Sequence, residues 1–74
     1  MSVGEQIRKA RLAVKKTQEA VAAEAGIDRS YLSQLENDYK SPTLDTLFRV
    51  CAAIGVSAST LIARVEKPSK RKPG

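Results

Sequence analysis

Seventy-four residues allow one small domain, and a chain this short buries only roughly 60% of the surface its unfolded form exposes, so pairing with a second copy would add stability. With no histidine and a single cysteine, the usual zinc sets, the catalytic triads and an internal disulfide are excluded, and neither an enzyme nor a metal or cofactor site is expected. The net charge of +5 is lopsided: residues 1–65 carry nine basic and seven acidic side chains and residues 66–74 carry four and one, so the placement of charge says more about partners than its sum.

The first predicted helix covers residues 5–14, where Ile7, Ala10, Arg11 and Val14 recur at i, i+3, i+4 and i+7. A charge in that apolar stripe demands a partner. Lys15 and Lys16 follow at its C-terminal end, suited equally to the helix dipole and to a phosphate.

Two short helices come next, within Thr17 to Asn37. Thr17 caps the first, which carries Val21, Ala22 and Ala25 on one side and ends at Gly26. Asp28 is the candidate cap of the second, whose Leu32 and Leu35 point inward while Arg29, Ser30, Tyr31 and Gln34 are left outside. Ala22 is small where two helices must cross closely, Gly26 supplies the turn, and Ile27 plugs the corner from below.

Ser41-Pro42-Thr43 is turn chemistry ending in a cap, with Asp45 placed for the positive end of a fourth helix. That helix presents Leu44, Leu47, Phe48, Cys51 and Ile54 as an expected core stripe and stops at Gly55, with Cys51 read as a small buried hydrophobe. Ser57 caps a fifth helix over residues 58–65, too short to bury Leu61, Ile62 and Val65 together, so Ile62 and Val65, with Val50, are expected to form a two-fold interface. Residues 66–74 combine prolines and cations without an apolar side chain and read as a basic disordered tail. No run approaches 18 apolar residues and the N-terminus lacks a secretory layout, which gives the expectation of a cytoplasmic, nucleoid-associated protein with no membrane partner.

A small residue, a glycine four later and apolar residues six and nine beyond the glycine resemble a helix-turn-helix. The wider string, TQEAVAAEAGI through SYLSQLEN to SPTLDTLFRVCAAIGVS, resembles the Cro/phage-repressor-type (XRE) helix-turn-helix family over about residues 5–62. That resemblance implies an all-α fold, a five-helix bundle of the phage-repressor DNA-binding type spanning residues 1–65, which binds operator DNA as a homodimer with the third helix in the major groove.

It also implies roles. Arg29, Ser30 and Gln34 fall at base-contacting positions, and their chemistry suits guanine, either base, and adenine in turn. Thr17, which opens the second helix, with Gln18, Tyr31, Asn37 and Lys40, is expected on the DNA backbone. Arg11 and Glu36 fall at positions of a buried ion pair that ties the first helix to the third. The chain departs from the family at Asp38, where glycine is common; aspartate tolerates the left-handed turn but brings negative charge towards the phosphates.

The functional expectation is therefore a sequence-specific regulator of transcription on a dyad operator, with no small-molecule ligand implied. Asp28 to Ser33 on so short a chain is also similar to restriction–modification controller proteins. The rival is a protein-interaction module, an antitoxin or adaptor, using the same fold with weak DNA contact.

Overall fold

The computed structural model describes residues 2–66, so all but the first residue of the expected basic tail lies outside the described residues. Among them the chain forms five helices and no strand: α1 (Val3–Ala13), α2 (Gln18–Ala25), α3 (Arg29–Glu36), α4 (Leu44–Ile54) and α5 (Ala58–Val65). Among the described residues no single helix is long and apolar enough to cross a membrane.

Side-chain caps set most of the boundaries. Thr17, Thr43 and Ser57 each accept the N–H three residues on, from Ala20, Thr46 and Thr60, satisfying donors that a helix start leaves free. Ser2 and Glu5 form a reciprocal capping box at α1, which therefore starts two residues earlier than the apolar pattern suggests. Asp28 occupies the cap position of α3 in extended backbone, but its side chain makes no capping bond. Gly26 and Gly55 close α2 and α4 in the left-handed conformation, with φ of +74° and +96°.

The core is one cluster drawn from all five helices, with Ile7, Val21, Leu32, Val50, Cys51 and Leu61 at its centre. α2 packs on α4, α1 bridges α3 and α5, and α2 and α3 close the corner. Three expectations are corrected here. Val50 is fully buried inside one protomer and has no surface to offer a partner copy. Leu44 and Phe48, expected in the core, are 66% and 56% exposed, because the buried side of α4 is rotated towards Val50 and Ala53. Val14, expected on the buried stripe of α1, follows that helix as its C-cap and is exposed. Ile62 and Val65 are half-buried and pack against the core from outside.

Candidate nucleic-acid interface

The corner between α2 and α3 places a polar helix face at the surface and braces it from behind. Leu32 and Leu35 anchor α3 with no exposed area, and Ile27 donates its N–H to the Ala22 carbonyl at 3.0 Å, fixing the turn after Gly26. With those positions committed inward, Arg29 and Ser30 are exposed and Ser33 and Gln34 are half-buried along the opposite side. The sequence reading did not single out Ser33; its signal is position, since it stands three residues after Ser30 and four before Asn37 on one helical face.

Behind this face lies a buried ion pair. The Arg11 guanidinium grips Glu36 through two bonds, Nε to Oε2 at 2.7 Å and Nη2 to Oε1 at 3.0 Å, and gives a third to the Lys16 carbonyl at 2.9 Å. The hydrogen bonds that Arg11 donates to the Glu36 carboxylate push its pKa further up, against the opposing effect of burial, so the guanidinium is charged at every accessible pH. Gln18 extends the network outward: its amide N–H donates to Glu36 Oε1 at 3.1 Å and its carbonyl oxygen accepts from Arg29 Nη1 at 3.4 Å. Glu19 lies 3.8 Å from the Arg29 Nε, adding an anionic contact on an exposed pair. Fold and outer face are thus joined in one chain of bonds, Arg11 to Glu36 to Gln18 to Arg29.

The remaining expected residues fall around the two ends of α3. Thr17 caps α2 through its oxygen, which leaves its hydroxyl proton available to an acceptor. Asn37 closes α3 and donates from its amide to the Ser33 carbonyl at 2.9 Å. The Lys40 ammonium stands 6.0 Å from the centre of the half-buried Tyr31 ring, bringing these two residues into one patch.

Asp38 behaves differently from what its charge suggested. It adopts φ +62°, as the turn requires, and its carboxylate accepts from the Ser2 hydroxyl at 2.6 Å and the Gly4 N–H at 3.2 Å. The negative charge is thereby directed at the N-terminus of α1. Lys16 is likewise engaged inside the protomer, donating to the Ala53 carbonyl at 2.6 Å near the end of α4 and pairing with Glu24 at 3.4 Å.

A helix-turn-helix family model matches residues 7–61, most of the chain. The immunity repressor protein of Bacillus phage phi105 is 39% identical over 62 residues, which are 84% of this chain and 43% of that protein, so the chain spans less than half of the repressor's length. Among solved structures, the restriction–modification controller protein C.AhdI of Aeromonas hydrophila superposes with a TM-score of 0.77 at 27% identity, covering 80% of this chain and 89% of that one. The biofilm master regulator SinR of Bacillus subtilis, solved in complex with DNA, superposes with a TM-score of 0.76 at 31% identity, covering 82% and 98%. The braced corner, the buried Arg11–Glu36 pair and these likenesses agree: the chain belongs to the Cro/C1-type (XRE) family of helix-turn-helix regulators, which are not enzymes.

Proposed function

We propose that this protein is a sequence-specific regulator of transcription that binds double-stranded DNA as a homodimer, in the cytoplasm and on the nucleoid. The observation that carries the reading is the outward face of α3, where Arg29, Ser30 and Gln34 stand together on a helix locked from behind by the Arg11–Glu36 pair. A rigid helix with a polar face fits the major groove, and these three side chains offer a guanidinium fork, a hydroxyl and an amide to base edges. Thr17, Gln18, Tyr31, Asn37 and Lys40 surround that face and supply donors to phosphates, which fix register without reading sequence. Residues 1–65 form the binding domain in this reading.

Two copies related by a two-fold axis imply a dyad operator with half-site centres about one helical turn, ~34 Å, apart. Half-exposed Ile62 and Val65 on α5 are available to the edge of such a pairing. The test is selection from a random duplex library, followed by gel shifts with the Arg29→Ala variant. A dyad consensus is expected, with discrimination at one base pair per half-site reduced by about 1–3 kcal/mol in the variant while binding to unrelated DNA persists. Selection that yields no consensus overturns the reading and favours a protein-interaction module.

A further inference from the structure

Helix α4 carries an apolar stripe that its own protomer does not use. Leu44 and Phe48, one turn apart at i and i+4, are 66% and 56% exposed, whereas Leu47, Val50, Cys51 and Ile54 on the same helix are each at most 5% exposed. The core is thus filled without them, and large apolar side chains left in water on one face of a helix mark an interaction surface. Beside the stripe run Asp45 and Arg49, also one turn apart and paired at 3.1 Å, with side chains 74% and 56% exposed.

This arrangement is complementary to itself when reversed. Along α4 the order is Leu44, Asp45, then Phe48, Arg49, so a copy laid antiparallel across it sets Leu44 against the partner's Phe48 and Asp45 against the partner's Arg49. A surface whose acid meets its own base under a two-fold rotation fits a second copy of the chain. One acid and one base offer no net charge to an anionic lipid surface or to a highly charged protein. α4 also begins seven residues after Asn37, at the end of the loop that leaves α3, so contact here would set the two reading helices at a fixed distance.

We propose that Leu44, Asp45, Phe48 and Arg49 form the centre of the two-fold interface between copies of this chain, with Ile62 and Val65 at its margin. The inference rests on the homodimer reading and names its surface. Sedimentation equilibrium of the full chain over the micromolar range tests it, using wild type, Phe48→Arg, Asp45→Arg, Arg49→Asp and an equimolar mixture of the last two. Phe48→Arg is expected to weaken self-association about tenfold or more, with helix content by circular dichroism unchanged because the side chain is exposed. Each charge variant alone should self-associate poorly, one face being all cationic and the other all anionic, and the mixture should regain a heterodimer. That mixing result is read independently of whether Phe48→Arg folds. A wild-type dimer that Phe48→Arg leaves intact, or a mixture that gives no heterodimer, overturns the α4 interface alone. A wild type that stays monomeric overturns the homodimer reading as well.

Discussion

Glu36 decides how firmly the reading helix is held. It is 5% exposed and accepts two bonds from Arg11 and one from Gln18, so its removal strands a guanidinium that is itself 8% exposed. Stranding a buried charge costs about 3–5 kcal/mol. A domain of this size is stable by roughly 0.05–0.15 kcal/mol per residue, so that loss consumes much or all of its stability. Glu36→Ala is therefore expected to leave the protein largely unfolded in a urea titration extrapolated to water, and Arg11→Met combined with Glu36→Leu to recover most of the loss. Recovery fails if the pair contributes attraction beyond what apolar packing returns. At Cys51, burial pushes the thiol pKa up. A thiol that holds its proton more tightly when folded contributes stability that is complete below the unfolded value of about 8.5 and is lost as pH rises through the folded value. The urea midpoint of wild type should accordingly decline from about pH 8.5 upward more than that of Cys51→Ala, and native protein should react with a thiol reagent only at its unfolding rate. The partner of Arg11 was legible because a charge within an apolar stripe demands one and the resemblance supplied Glu36. The bridging role of Gln18 was not, since one polar side chain at a helix start gives no sign of which two partners it will reach.

At the scale of elements, the junction of α1 with the end of α3 leaves no room for a side chain at Gly4. A Cβ on Gly4 would overlap the Leu35 carbonyl oxygen and the Asp38 carboxylate. Gly4→Ala should then destabilise by roughly 1–3 kcal/mol as the start of α1 is pushed off α3, measured by thermal or urea unfolding. Asp38 separates two effects at one position. Its replacement by glycine removes the carboxylate bonds to Ser2 and Gly4 but relieves the positive φ, whereas alanine removes the bonds and keeps the strain. Asp38→Ala is expected to be less stable than Asp38→Gly by about 1 kcal/mol, the cost of an L side chain in the left-handed region. Equal stabilities would mean that the turn relaxes out of that conformation. Five of the helix starts and stops were readable because Thr17, Thr43 and Ser57 cap locally and Gly26 and Gly55 terminate locally. The exposure of Leu44 and Phe48 was not, because periodicity shows that a helix has an apolar side but not how far around it the neighbouring helices reach. The aim of the Asp38 carboxylate was hidden for the same reason: Ser2 lies 36 residues away.

For the molecule as a whole, the mild charge of the folded body makes local placement decisive in its encounter with DNA. Arg11 pairs with buried Glu36, so its charge is spent inside the fold, whereas Lys16, Arg29 and Arg49 pair with acids of the same protomer at the surface, where water and salt screen the pairing. Lys40 stands beside Tyr31 on the side where the resemblance expects phosphates, and Arg29 projects from the face expected at base edges. These two cations should therefore leave different marks on binding. Neutralising a phosphate releases counterions, and each contact adds about 0.9 to the slope of log affinity against log salt on duplex DNA. If both copies of a dimer place Lys40 on a phosphate, Lys40→Ala should lower that slope by about 1.8 and leave the selected consensus unchanged. Arg29→Ala should alter the consensus at one base pair in each half-site. A Lys40→Ala protein with the wild-type salt slope would place that side chain off the backbone, and the Tyr31 contact would then be its whole role.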